Sequence, residues 1–516
     1  MADDLIHLVE VTAYDPATAS TTVLHFASGL GKMTLASETP ANAHYSPRVV
    51  QPASFSRTMF SNARISGGTT VGIGEIVLNN SDQALAGLRD LGIDGRDVVI
   101  RVGPQGAAYP AGYTTFLVGT AEQVEVGART ATLRLRDKLH LLQQPLQVIL
   151  YAGSNVLPSG AEGTADDIKG SRKPLLFGRR FQIEPVLVNT ARLIFQVHDG
   201  PIYAIDAVYD MGAALTAGVD YSDLAALETA TPAAGTYVTC LTLGLFRLGA
   251  APAGKVTVDA RGDATGGYTS RAGEIVQRIL TGRCGIAVDD LDAASFTSMN
   301  AAAPAECGIY LTGEVPRQAA IDAVLASCGG WLAPTRTGIW QVGQLVAPAG
   351  PPVMTFTDVH ILKLDSLATR DAGAGVPVWR VKLRYRPHAL LGRTDLAGTV
   401  SEARKAELQQ PWREVAASDS TVQAAHLLAP ELLRDTALAH AADAASEATR
   451  LLDLHKQRRD YVQAEVWLTQ AHAVIDLGAI VRLVTPRLGY GAGRNFVVVG
   501  ITVNARRTRL TLDLWG

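Results

Sequence analysis

The 516-residue sequence is short of charge, with 18% Asp, Glu, Lys and Arg and a formal net charge of −3. An average soluble protein carries roughly 25% charged residues, so much of this surface is neutral or apolar. That composition favours a subunit with large buried contacts over a freely diffusing enzyme. No long Lys/Arg run exists. A dedicated duplex binder needs a cationic face to displace counterions, so sequence-specific DNA binding is not expected, although a channel passing DNA needs no such face.

Other absences narrow the classes further. No run of 18 or more apolar residues is present, so no helical membrane span is expected. Met1, Ala2, Asp3 and Asp4 are acidic or neutral where a secretory leader is basic, so folding in the cytoplasm of the producing cell is expected. Cysteines number four, Cys240, Cys284, Cys307 and Cys328, with no C-x-x-C pair. That spacing suits neither a disulfide framework nor a zinc or iron–sulfur site. The thiols are expected as small buried hydrophobes, with no metal and no cofactor.

What is present is ample core material, 47% apolar residues, enough for several domains at roughly 100–200 residues each. Four segments follow from the pattern: a β-barrel domain over 1–150, a second β domain over 151–265, an α/β domain over 266–350, and a domain over 351–516 with a long helix and a closing barrel. In the first segment, residues 5–14, 21–27, 71–78, 97–102, 116–126 and 130–135 are expected strands. Residues 129–136 alternate polar and apolar, and a hairpin turn is expected at Gly127 and Ala128. Residues 81–91 suggest a helix capped by Ser81 or Asp82. The Gly, Ser and Asp of 154–171 predict a loop.

Residues 192–197, 204–209, 236–243 and 255–258 are expected strands of the second segment. The third turns helical. Ile275, Val276, Ile279 and Leu280 share one face of 270–283, with Ser270 as cap and Glu274 in the first turn. Pro316 and Gly329 bracket a helix over 317–327, and 331–334 with 338–345 form a hairpin. In the last segment, 378–386 is a strand. Residues 436–455 predict a helix with the stripe Ala437, Ala441, Ala444, Ala448, Leu451 and Leu452, and 461–468, 480–484, 496–503 and 508–514 close the chain as strands. Leu510, Leu512 and Leu514 should fill a barrel interior while Trp515 packs on the other face. This last strand should pair with 496–503 across the turn Asn504, Ala505, Arg506, Arg507.

Motifs for chemistry are weak. Gly29, Gly31 and Lys32 lack the leading Gly and the Ser/Thr of a phosphate loop. Gly72 and Gly74 lack a third glycine, and Gly489, Gly491 and Gly493 lie between two strands, where a hairpin needs positive φ. There is no G-x-S-x-G and no H-E-x-x-H. His198 and Asp199 are adjacent on an extended chain and face opposite ways, and Gly200 and Pro201 predict a turn. Arg261, Gly262 and Asp263 spell an adhesion tripeptide that a loop between domains explains. The alternating charges of 401–410 predict a solvated face. No catalytic, cofactor-binding or metal residue is therefore named.

Several segments together resemble hub proteins at the tail tip of long-tailed phages and prophages: Pro52-Ala-Ser-Phe-Ser-Arg57 with Ile76-Val-Leu-Asn-Asn80; Arg172-Lys-Pro-Leu-Leu-Phe-Gly178 followed by 192–210; Phe246-Arg-Leu-Gly249 followed by 254–259; and Leu477-Gly478-Ala-Ile-Val-Arg-Leu483, Val497-Val-Val-Gly-Ile501 and Leu510-Thr-Leu-Asp-Leu-Trp515-Gly516. The resemblance touches all four segments, and its strength lies in the order of its short motifs. It implies a mainly β, multi-domain fold with α/β and helical segments and β-barrels of tail-tube or hub type. It also implies a homotrimeric baseplate ring in the virion tail tip that continues the tail tube and lets DNA pass on ejection. The implied partners are a distal tail protein or tube ring, the tape measure protein and tail-tip or fibre proteins. Two rivals stand beside it, a distal tail adaptor that binds fibres and a tail-associated cell-wall hydrolase. Some hub relatives carry a hydrolytic module, and the barrel-strand pattern of the last residues leads us to expect none here.

Overall fold

The structure, a computed structural model, describes residues 5–60, 67–367, 376–505 and 508–516, without the side chains of Gln470 and Ala473. Met1 to Asp4, and Arg506 and Arg507 of the expected turn, lie outside the described residues. The architecture is a mixed α/β multi-domain fold with a curled half-barrel sheet. That sheet has seven strands in the order Ser20–Ala27, Leu5–Asp15, Asp97–Pro104, Thr114–Val126, Thr130–Arg136, Ile76–Asn79 and Val49–Gln51. Alternation drives it: Thr130–Arg136 buries Ala131, Leu133 and Leu135 and turns Thr130, Arg134 and Arg136 outward. The expected hairpin joins Val126 to Thr130, with Gly127 N donating to the Thr130 carbonyl at 2.8 Å. Right-handed twist curls the sheet. Residues leading into its last strand meet its first, through Ala27 N to the Ser46 carbonyl at 2.7 Å and Ser46 N to the His25 carbonyl at 3.2 Å.

Two local expectations fail here. Residues 71–78 are two strands, Thr70–Ile73 and Ile76–Asn79, in different sheets. The break falls at Gly74, whose N–H donates to the Ser54 carbonyl at 2.7 Å; a Cβ there would sit 3.2 Å from that same oxygen. The helix expected over 81–91 is a single 3₁₀ turn, Ala86–Asp90. Neither Ser81 nor Asp82 caps it. Asp82 is held by Arg48 at 2.7 Å, and Asn80 Oδ1 takes the Leu85 N–H at 2.9 Å, a local side-chain bond that competes with helix formation.

The closing sheet runs Met354–Thr357, Ile480–Val484, Arg494–Asn504, Arg509–Trp515, Tyr461–Trp467 and Ile361–Leu367. As expected, the final strand pairs with its predecessor, Leu510 opposite Val503, Leu512 opposite Ile501 and Leu514 opposite Val498. Leu510, Leu512, Leu514 and Trp515 are all buried. One edge of Arg494–Asn504 is shared by two partners. Its first half pairs with Ile480–Val484, and its second half takes Phe55–Thr58 from near the other end of the sequence. One hydrophobic core in consequence runs from Val9 to Trp515 and includes both sheets.

Two five-stranded sheets and a helical layer occupy the middle. Ala213–Ala214, Ile202–Asp210, Val256–Asp263, Leu175–Ile183 and Gly308–Leu311 form one sheet; Val186–Asn189, Ile194–Gln196, Leu245–Leu248, Thr236–Cys240 and Thr216–Asp220 form the other. Arg261, Gly262 and Asp263 are strand residues, contrary to the expected loop: Arg261 pairs with Arg179 and Ala204. A Cβ on Gly262 would stand 2.1 Å from the Leu176 carbonyl, so glycine permits this close strand approach.

The helix Ala272–Gly282 buries Ile275, Val276, Ile279 and Leu280 as expected, while Glu274 accepts the N–H groups of Ser270 and Arg271 at 3.2 Å. A second helix is Arg317–Leu325. A third, Ala293–Ala302, was not expected; Asp292 caps it by accepting from Ala294 N at 3.2 Å.

The long helix starts late, at Ala441, and runs to His455. Ahead of the expected helix, residues 431–435 are a strand beside Arg380–Tyr385. Ala437 N donates to Ser327 Oγ at 2.9 Å and Ala439 N to the Glu306 carbonyl at 2.9 Å. Backbone donors taken in this way cannot serve a helix. Of the stripe, Ala444, Ala448, Leu451 and Leu452 are buried on the helix, Ala437 is buried off it, and Ala441 is exposed.

Candidate functional site

The sequence motifs are dispersed by the fold. Cys240, Cys307 and Cys328 are buried and Cys284 is half-buried, all as free thiols. Burial pushes the Cys284 thiol up to about 11 and Cys328 to about 12, and raises Cys307 and Cys240 as well. A thiol held protonated is a poor nucleophile and a poor ligand. Among the described residues no group of three or more His, Cys, Asp or Glu is placed to hold a metal. Gly29 and Gly31 form a turn with positive φ, and Lys32 Nζ is spent on the Ala107 carbonyl at 2.7 Å. Gly489 and Gly493, both at positive φ, turn the chain between Ile480–Val484 and Arg494–Asn504.

His198 and Asp199 do face apart. Asp199 lies 3.7 Å from Arg283. His198 is fully buried, and its Nδ1 accepts from Leu176 N at 2.9 Å, which puts the proton on Nε2. That Nε2 stands 3.8 Å from Asp263, too far for a hydrogen bond, while Asp263 is taken by Arg278 at 3.0 Å. Burial pushes His198 down to about 4, against the opposing pull of Asp263. A neutral imidazole with one nitrogen fixed by backbone and no hydroxyl or thiol bonded to it holds two strands together; it does not form a catalytic set.

A polar cluster lies where the first sheet and the closing sheet meet. Phe55–Thr58 enters the closing sheet there, and Arg57, only 3% exposed, forms an ion pair with Asp476. Arg336 lies beside them, its pKa lowered by burial and by Arg57 and raised by Asp476. Its carbonyl accepts from Val118 N at 2.7 Å, so the 335–339 turn is tied to the first sheet. An apolar cleft beside the cluster is walled by Phe55, Phe116, Ile501, Val503 and Leu510 and carries His7 and His472 on its surface. Burial pushes His7 down to about 4 and lowers His472 too. Phe116 stacks edge-on against both Phe55 and His7, at 5.4 and 5.8 Å.

This arrangement is a joint. It combines a buried ion pair, neutral imidazoles and an aromatic ladder. Sequence reasoning did not find it. Arg57 sits in the quoted resemblance segment, but nothing in a single sequence links it to Asp476.

Among the described residues no helix is long and apolar enough to cross a membrane. No family model and no curated protein sequence matches the chain. Among solved structures, the chain is similar to a tail protein from Neisseria meningitidis MC58 (9% identity, 92% of this chain and 93% of that one, TM-score 0.38). It is also similar to a component of the virion of a native gene transfer agent particle (13% identity, 67% and 84%, TM-score 0.42). A third similar structure is the 43 kDa tail protein of prophage MuSo2 from Shewanella oneidensis (8% identity, 92% and 96%, TM-score 0.35).

Proposed function

We propose that this protein is a structural baseplate hub of a phage-type tail tip, without catalytic activity. In this account three copies form a ring that continues the tail tube and anchors tail-tip or fibre proteins, and DNA passes through its lumen on ejection. The distal tail protein or tube ring would sit on one side, with the tape measure protein inside.

The observation that carries this is the joint. The curled first sheet and the closing sheet share one core through the strand pair Phe55–Thr58 and Arg494–Asn504, so each chain would supply a double-width wall element. The ordered motifs of the sequence support the same reading. So do the exposed apolar side chains Leu30, Met33 and Leu35 beside the first sheet, and Leu427 and Leu428 at 91% exposure each. Apolar side chains this exposed are candidates for an association face.

A distal tail adaptor, the second structural reading, would form a ring of six. Native mass measurement of the assembled ring distinguishes three 54.5-kDa chains from six. A peptidoglycan digestion assay tests the remaining rival, a cell-wall hydrolase; release of soluble fragments would overturn the non-enzymatic reading.

A further inference from the structure

Side chains alternate along a strand, and two adjacent arginines on Leu175–Ile183 meet opposite fates. Arg179 lies between two carboxylates, 3.3 Å from Asp206 and 3.5 Å from Glu306. Arg180 has neither. Its single hydrogen bond is a long one, 3.4 Å from Nη1 to the Gly308 carbonyl, and its Nε has no partner. Among the described residues no carboxylate pairs with it, and burial alone pushes its pKa down to about 10. Arg180 is half-buried, with its Nε closed off from solvent and no counter-charge beside it. An anion entering from solvent would supply the missing counter-charge.

There is room for one. Arg180 lines a cavity of about 330 Å³ together with Arg384, Trp412, Asp435, Ile309 and Ala326. The Arg384 guanidinium lies 4.1 Å from the Trp412 ring centroid. It reaches Asp435 at 3.4 Å, and its Nε also lacks a partner. Asp435 is 76% exposed, so its hold on Arg384 is screened by solvent. Two guanidiniums against one carboxylate leave a single positive charge, set in a wall that is otherwise alkyl and indole apart from Thr436.

We propose that this cavity is a binding site for an apolar monocarboxylate, whose carboxylate bridges Arg180 and Arg384 and whose apolar body rests on Ile309, Ala326 and Trp412. Guanidinium geometry matches a carboxylate. The second charge of a phosphate dianion would face Asp435, so phosphate is the poorer ligand. A free organic acid and the C-terminal carboxylate of a polypeptide ending in an apolar residue share this chemistry. The inference does not depend on the assembly the chain enters.

The test uses the full chain, with thermal melting and tryptophan fluorescence as readouts. Benzoate should raise Tm saturably, while benzamide, isosteric and uncharged, should not. Arg180→Met should weaken benzoate binding at least about tenfold, the scale of a lost charge-assisted pair. If Arg180→Met does not fold, Arg384→Met and the benzoate–benzamide contrast in the wild type decide the matter. A leucine-terminated peptide that binds tighter than benzoate, and loses binding on C-terminal amidation, assigns the site to a polypeptide terminus; benzoate binding tighter assigns it to a free acid. Equal response to benzoate and benzamide, no response to any carboxylate, or tighter binding of inorganic phosphate at pH 8 would overturn the proposal.

Discussion

Arg57 and Asp476 stand 419 residues apart in the chain and form an ion pair where the curled first sheet meets the closing sheet. Arg57 is almost wholly removed from water, and Asp476 keeps 30% of its side chain exposed. The pair is therefore asymmetric. Asp476→Ala strands a buried cation and should cost about 2–4 kcal/mol, whereas Arg57→Met leaves a carboxylate that water can reach and should cost about 1 kcal/mol. The double variant should be less destabilised than Asp476→Ala alone, since it no longer buries a bare charge. Urea denaturation of the four proteins measures this, and an Asp476→Ala variant within about 0.5 kcal/mol of the wild type would remove the pair from the account.

The closing strand offers a packing test. Leu512 is fully buried and lies opposite Ile501 and Ala464. Leu512→Ala should cost about 2–5 kcal/mol, a large share of a domain's stability. Deleting residues 508–516 removes three such leucines and Trp515 and opens both neighbouring strands. The truncated protein should fail to give a cooperative melt and should not support tail assembly. A truncated chain that folds and builds infectious particles would make this strand an appendage.

What the sequence conveyed was mostly periodic. The pairing of 508–514 with 496–503, the hairpin at Gly127 and the buried face of 270–283 all rest on local alternation or helical spacing, and all are seen. The failures are tertiary. Residues 436–439 have helical propensity, but Ser327 and Glu306 take their backbone donors. Residues 71–78 look continuous, but Gly74 lets the chain cross from one sheet to the other. The tripeptide at Arg261 looks like a loop, but Gly262 fits against the Leu176 carbonyl as only a strand glycine does. The joint itself was illegible, because register between strands 440 residues apart leaves no periodic trace.

Stability should fall on acidification. Burial depresses His7 and His198 to about 4 and His455 to about 3, below the roughly 6.5 of an unfolded chain. Between those values the unfolded state binds more protons, so stability is full above pH 6.5 and is lost as pH falls toward 4 and 3. Each histidine contributes on the order of 3–5 kcal/mol over its window. Asp322, raised to about 6 by burial, works in the opposite direction and offsets part of one histidine. Melting curves from pH 7.5 to 4.5 should show a steady drop in Tm, and His7→Gln should flatten it. A Tm that is level or rises over this range contradicts the neutral buried imidazoles.

The buried thiols make a further expectation. In the native state Cys240, Cys307 and Cys328 should react with a thiol reagent at pH 8 far more slowly than in denaturant, with Cys284, the half-buried one, leading. Elemental analysis should find no stoichiometric iron or zinc, and chelation should leave Tm unchanged. A bound metal at one equivalent would overturn the reading of these cysteines as packing residues.

The measurement closest to the central claim is a cryo-EM map of tail tips assembled with this chain. The account predicts three copies in a closed ring around an open lumen, coaxial with the tail tube, with the 55–58 and 494–504 strand pair inside each ring wall. Six copies around the axis, a single copy on the outside of the tail, or a ring in which the two sheets of one chain are separated would contradict it.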